Sequence, residues 1–192
     1  MKITRSMIEL DAQYLLESVQ STDYEIPSSG DIFKVIFRGY KFVVLVQLVA
    51  VFSDWLLYGV NNDNYSYLSM LILSGGSLLV VFGVLCATLY QNVSLALCIP
   101  QDVRSNSLLC SIIREKIGSY LQVIVLLNST IAVVLIFSGE YFVGGLGASW
   151  FASIIIGGIS FSYSMSRYFT PQVMSVLSKI NDVIAPTVAE NK

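Results

Sequence analysis

Polar and apolar positions segregate along this chain by whole segments. Apolar stretches run from about residue 37 to 60, 66 to 92, 117 to 138 and 142 to 165, with short polar stretches between them. Between Asp63 and Asp102 lie 38 residues without a formal charge; residues 117–139 add 23 more and residues 141–166 another 26. Each run exceeds the roughly 20 apolar residues that cross about 30 Å of hydrocarbon as a helix. The first stretch is broken only by Arg38 and Lys41 at its start and by Asp54 near its end. The second apolar run continues to Ile99, so its helix is predicted to project beyond the bilayer until Pro100.

Amphipathic segments flank these stretches. Ser6-Met7-Ile8-Glu9 fits a capping box, and Met7, Leu10 and Tyr14 with Ile8, Leu15 and Val19 fall at helical spacing, predicting a helix up to about Gln20. Ser21–Gly30, with Pro27 and two adjacent serines, ends it. Ser105, Asn106 and Ser107 can start a helix that runs into the third apolar stretch. Thr170-Pro171 reads as an N-cap followed by proline at the first helical position, and Val173, Leu177, Ile180 and Ile184 then line one face.

Composition turns this pattern into a class. The chain has 192 residues, 55% hydrophobic and only 12% charged, with a mean hydropathy of +0.70. No soluble domain needs so apolar a composition. The expected fold is all-α: a polytopic membrane protein with four transmembrane helices and amphipathic helices at the cytoplasmic N- and C-terminal ends. Its predicted organisation is a helical N-terminal segment (1–36), a four-helix membrane domain (37–166) with a cytoplasmic connector at 100–116, and a C-terminal helix and tail (167–192). Some thirty residues of mixed polarity precede the first apolar core, so a cleaved signal peptide is not expected. Four spans place all 11 Lys and Arg residues on one side, which the positive-inside rule makes cytoplasmic. The opposite side holds two short loops carrying Asp63 and Glu140 and no base.

Chemistry is sparse. Histidine is absent, removing the commonest general base and metal ligand. Cys86, Cys98 and Cys110 form neither a disulfide framework nor a zinc site. No phosphate loop, nucleophile elbow or zinc-protease motif occurs, so neither an enzyme nor a cofactor is expected. With a net charge of −2 and the pair Arg114 and Lys116 interrupted by Glu115, nucleic-acid binding has no support.

Polar groups inside the spans remain. Gly145, Ser149, Ser153 and Gly157 recur every four residues along the fourth span, and Gly75, Gly76 and Gly83 offer a counterpart in the second. Such strips let helices approach closely in lipid; packing within one bundle is favoured here over a homo-oligomer seam. Gln47, Ala50 and Asp54 share a face of the first span, pointing Asp54 towards the bundle interior. Thirteen residues beyond Lys41, Asp54 rises about 20 Å and lies in the outer third of the membrane. Since every base is predicted inside, Asp54 must be hydrated, hydrogen-bonded to groups such as Ser or Tyr, protonated, or paired with another molecule.

The segment EIPSSGDIFK, the four spans, the connector CIPQDVRSNSLLCSIIREKI and the post-membrane SRYFTPQVMSVLSKI together resemble the entry-exclusion proteins of F-like conjugative plasmids, the TraS type. The resemblance is one of size, topology and segment order across nearly the whole chain, without a short signature motif. It implies an inner-membrane protein that reduces redundant plasmid transfer by recognising the donor's mating-pair-stabilisation protein, of the TraG type. Candidate recognition residues are Asp54, Asn61, Asp63, Glu140 and Tyr141 towards the outer side, and Arg104 and Arg114 within the connector. A tetraspan immunity protein against a pore-forming colicin, or a small channel or transport subunit, shares the same size and span count.

Overall fold

The computed structural model describes residues 3–21, 26–60, 65–139 and 141–184. Its elements are α1 (Arg5–Ser21), α2 (Ser29–Asp54) continued by a π-helical turn (Trp55–Gly59), α3 (Tyr67–Cys98), α4 (Gln101–Asn106), α5 (Leu108–Ser138), a 3-10 turn (Phe142–Gly145), α6 (Leu146–Ser166) and α7 (Pro171–Ile184). The fold is all-α, and four helical segments are long and apolar enough to cross a membrane: Ser29–Gly59, Tyr67–Cys98, Leu108–Ser138 and Phe142–Ser166. Lipid is therefore the surrounding solvent, and the protein is multi-pass.

Helix boundaries follow local capping chemistry. Helix α2 begins eight residues earlier than hydropathy alone predicts, because Ser28 accepts the Asp31 N–H through Oγ (3.2 Å) and donates to Asp31 Oδ2 (2.6 Å). At α1 the predicted capping box on Ser6 does not form. Thr4 takes the cap, its Oγ1 accepting the Met7 N–H at 3.4 Å, while Glu9 turns away to accept from Arg5 Nε at 2.7 Å. Thr170 caps α7 through the Val173 N–H at 3.3 Å. The connector is more ordered than a polar loop: α4 occupies Gln101–Asn106 before Ser107 Oγ accepts the Cys110 N–H and opens α5.

The chain divides into two compact units. One gathers residues 1–32, 91–118 and 160–192, so segments remote in sequence share a core. Ile8, Ala12, Leu15 and Val19 of α1 meet Val103 of α4, Leu109 of α5, and Val173 and Ile180 of α7. Of the two apolar rows predicted on α1, the one through Ile8, Leu15 and Val19 is inside, whereas Leu10 and Tyr14 are exposed. Asp11 lies beside this buried stripe and serves α5. Its carboxylate accepts the Ser107 hydroxyl at 2.8 Å and the Leu108 and Leu109 N–H groups at 3.0 and 2.7 Å. One side chain thus satisfies N-terminal donors that α5 cannot pair internally, and places negative charge at the positive end of the helix dipole. Nearby, Glu9 also accepts from Thr170 at 3.1 Å, and Arg5 donates to Gln172 at 2.5 Å, tying α1 to α7. The hydrogen bond from Arg5 holds the Glu9 carboxyl below its ordinary value of 4.5, despite some opposing desolvation. A depressed folded-state pKa means this contact stabilises fully above that value and is lost as pH falls through the lower one.

The second unit comprises residues 33–90 and 119–159. Its core joins Tyr40, Val43 and Ala50 of α2, Met70 and Val81 of α3, Ala132 and Ile136 of α5, Val143 of the 3-10 turn, and Leu146 and Trp150 of α6. Tyr40 donates to the Leu78 carbonyl at 2.7 Å, and Tyr58 of the π turn to the Ile136 carbonyl at 3.0 Å. Between α5 and α6, Asn128 donates to Ser153 Oγ at 2.7 Å and accepts from Ser149 Oγ at 2.7 Å. Large apolar side chains such as Leu48, Phe52, Ile72, Leu79 and Ile156 face outward. Apolar outside and polar inside is the arrangement a bilayer requires.

Close approach in this unit depends on glycines other than most of those the sequence singled out. A Cβ at Gly75, Gly76, Gly83 or Gly145 meets nothing within 4 Å. At Gly147 it collides with Ser77 of α3, at Gly144 with Leu73, and at Gly157 it comes within 2.6 Å of Ile124. The contact with α3 therefore runs through Gly144 and Gly147 in place of Gly145. Of the four-residue repeat, Gly157 sits at a close contact with α5, and Ser149 and Ser153 act through hydrogen bonds.

Gly147→Ala should lower stability by about 1–3 kcal/mol, because Ser77 presents a Cβ and a main-chain Cα that cannot swing aside, whereas Gly83→Ala should be near neutral. Thermal unfolding of the two variants in detergent compares them. Asp11→Ala, which strips two α5 N–H groups of their acceptor, should cost about 1–2 kcal/mol and expose the α1 region to limited proteolysis.

Candidate functional site

The candidate site forms where the first two spans of the membrane unit turn into one another. Gln47, Ala50 and Asp54 are all buried, so the face predicted to look inward does so. Asp54 is completely inaccessible, at 0% exposure, and is the last residue of regular α-helix. The next five residues form the π turn, an insertion that recurs at functional positions. Gly59 closes this turn against the Trp55 indole, where a Cβ would sit 2.5 Å from the ring.

Of the options open to Asp54, hydrogen bonding to tyrosine is realised. Tyr65 donates its phenolic proton to Asp54 Oδ2 at 2.5 Å, across eleven residues of hairpin. The second oxygen, Oδ1, has no hydrogen-bond partner among the described residues. Burial first, and then the bond to Asp54, push the Tyr65 phenol above its ordinary pKa, so it remains a proton donor. The unit's bases are Lys34, Arg38 and Lys41, thirteen or more residues back on the same helix, about 20 Å along its axis. Desolvating a carboxylate costs several kcal/mol, and one hydrogen bond to a charged group returns about 1.5–3. The described protein groups around Asp54 supply one such bond, to Oδ2.

Aromatic rings pack on Tyr65. Tyr65 stacks on Tyr141 with centroids 5.1 Å apart and an interplanar angle of 15°, and meets Tyr67 edge-on at 5.2 Å. Trp55 contacts Tyr67 at 6.1 Å, and its Nε1 is buried with no partner among the described residues. Tyr141 adopts a left-handed backbone, φ 68°, uncommon for a bulky residue. Its hydroxyl accepts the Ser66 N–H at 2.7 Å, so the 3-10 turn before α6 is tied to the start of α3. A strained tyrosine is held by two contacts to the hairpin that carries Tyr65.

The predicted recognition residues are distributed between the two units and the stretches outside the described residues. Asp54 and Tyr141 come together through Tyr65 in the membrane unit. Asn61, Asp63 and Glu140 lie outside the described residues. Arg104 and Arg114 belong to the other unit: Arg114 is exposed on α5, whereas Arg104 on α4 is half-buried, its Nε without a partner among the described residues. Sequence reasoning missed Tyr65 and Asp11. Hairpin geometry could have found the first, since antiparallel spans joined after residue 60 bring the start of the second beside the end of the first. An acid beside an apolar helical stripe was the signal for the second. Among the described residues no group of three or more acids or cysteines could hold a metal.

A double-mutant cycle of Tyr65→Phe and Asp54→Leu should give a coupling of about 1–3 kcal/mol, because the single Tyr65→Phe change leaves a buried carboxylate with no donor. Reversible unfolding in mixed micelles measures it, and additive costs would rule the interaction out. Compared with protein-family profiles, curated proteins and solved structures, the chain matches none.

Proposed function

We propose that this protein is an inner-membrane entry-exclusion factor, which blocks redundant conjugative transfer by binding the donor's mating-pair-stabilisation protein. The observation that carries the reading is the folded unit built from the N-terminal helix, the connector and the C-terminal helix, with its own core around Leu15, Leu109 and Val173. A protein whose task is recognition needs such a shaped surface; a lipid-embedded bundle alone does not. Leu10 and Tyr14, one turn apart on α1, are 66% and 42% exposed and offer an apolar contact, with exposed Arg114 on the same unit. The absence of histidine, and of any catalytic motif in the sequence, agrees with binding and no catalysis.

In this reading both termini and the connector are cytoplasmic. Phosphatase fusions should be active when inserted at residues 61–64 and inactive at the C-terminus. Recipient cells expressing the protein should receive an F-like plasmid from a like donor at a frequency well below that of vector-carrying recipients. Unchanged transfer with normal membrane levels rejects exclusion. Protection of the same cells from a pore-forming colicin would assign immunity instead.

A further inference from the structure

We infer that the exposed strip of α2 holds one anionic phospholipid, its phosphate at Arg38 and Lys41 and an acyl chain along Leu45, Leu48 and Phe52. The inference goes beyond the exclusion reading and does not depend on it.

The strip follows from helical periodicity. Lys34, Arg38, Lys41, Leu45, Leu48 and Phe52 recur at steps of three and four, which keeps them on one face for five turns, and all six are exposed. Ile36, Tyr40, Val43, Gln47, Ala50 and Asp54 line the opposite face and are buried. The strip changes character once: it is basic as far as Lys41 and apolar from Leu45, where Leu45, Leu48 and Phe52 are 58%, 59% and 55% exposed. Arg38 and Lys41 make no ion pair among the described residues, and Lys41 lies over the Phe42 ring at 5.1 Å. Asp31, the nearest acid on this helix, is engaged with Ser28 and lies about two turns from Arg38.

Charge order and length select the occupant. Accessible cations leading into an apolar track match a molecule that joins an anionic group to hydrocarbon, and bases beside a span attract anionic lipid. From Lys41 to Phe52 the helix rises about 16 Å, close to half of a hydrocarbon core of about 30 Å, so the track suits a chain of one leaflet. A second copy packed in parallel on the same strip would set Arg38 and Lys41 against their own counterparts, which like charge opposes. Among the described residues the other spans offer no equivalent: α3 carries no Lys or Arg, α6 stops one residue short of Arg167, and on α5 Arg114 and Lys116, two residues apart around Glu115, do not share a face.

The test uses the full-length protein purified in detergent, with retained lipid counted by native mass spectrometry as phosphatidylglycerol or phosphatidylcholine of the same acyl chains is added. The expected result is one retained phosphatidylglycerol, half-saturating at a concentration about thirtyfold below that of phosphatidylcholine. Arg38→Gln combined with Lys41→Gln should abolish this preference, whereas the exposed pair Arg167→Gln and Lys179→Gln on the other unit should keep it. Inorganic phosphate at constant ionic strength should leave retention unchanged. The inference is overturned if phosphatidylcholine is retained equally, if the Arg38 and Lys41 variant keeps the preference, or if the Arg167 and Lys179 variant loses it as fully. Displacement of the lipid by phosphate would assign a free anion instead, and cross-linking between Leu48→Cys chains would give the strip to a second copy; either result rejects the site. Where the double variant does not accumulate, Arg38→Gln alone decides: it should reduce the preference about fivefold, and an unchanged preference rejects the site.

Discussion

Hydrocarbon offers no hydrogen bonds, and that constraint organises the membrane unit. Every polar group carried into it must find a partner on another helix or bear an uncompensated cost of several kcal/mol. The buried polar residues of the spans are accordingly Gln47, Asp54, Ser74, Asn128 and Ser153, all turned inward, while leucines and phenylalanines cover the outside. Association of such helices cannot draw on hydrophobic exclusion from water. It draws on close approach and polar contacts, which is why Gly144, Gly147 and Gly157 sit at contacts on the same stretch of chain as Ser149 and Ser153. Asn128 illustrates the satisfied case, with its oxygen and nitrogen both engaged by α6 serines. Asp54 is half satisfied, and the Gln47 amide and the Ser74 hydroxyl have no partner among the described residues, so these three bear a cost that Asn128 avoids.

The other unit obeys a different rule. It is built from helices too short to hold together without tertiary contacts, since 17- and 14-residue amphipathic helices gain most of their stability from a packed face. Its fixing element is the Asp11 carboxylate, which caps a helix whose N–H donors lie 97 and 98 residues further along the chain. The bond joins three requirements in one group: N-terminal donors satisfied, dipole complemented, and α1 held in register with the apolar residues of α4, α5 and α7.

Much of this was legible in the residue pattern, and the reason is periodicity. Spans of twenty or more uncharged residues, the Thr170-Pro171 cap, and the helix stop before Pro100 each depend on neighbours close in sequence, and they stand where the pattern puts them. What escaped depends on tertiary partners. Ser6 was a sound local cap, but Arg5 and Thr170 claim Glu9, and the box cannot close. The glycine repeat on the fourth span was real, yet which of its faces meets α3 is decided by helix rotation, and that rotation selects Gly144 and Gly147. Within the membrane unit Asp54 and Tyr141 are brought near each other, and the residue that does so, Tyr65, carried no local signal of its own.

Tyr65 also explains why the loop end of the bundle has one geometry. Its hydroxyl is committed to Asp54 and its ring to Tyr141, so the polar and aromatic halves of the side chain fix two different chain segments. Tyr141 in turn holds a left-handed backbone that its own side chain disfavours, and its hydroxyl accepts the Ser66 N–H. Strain of that kind, about 1–3 kcal/mol, persists only where surrounding contacts outweigh it. Here they do so around a buried acid, so relaxing any one of them loosens the others. The acid that depth alone would make an ordinary interfacial group is therefore a structural centre by its contacts, although one of its oxygens, like the Gln47 amide, the Ser74 hydroxyl and the Trp150 indole N–H, has no partner among the described residues.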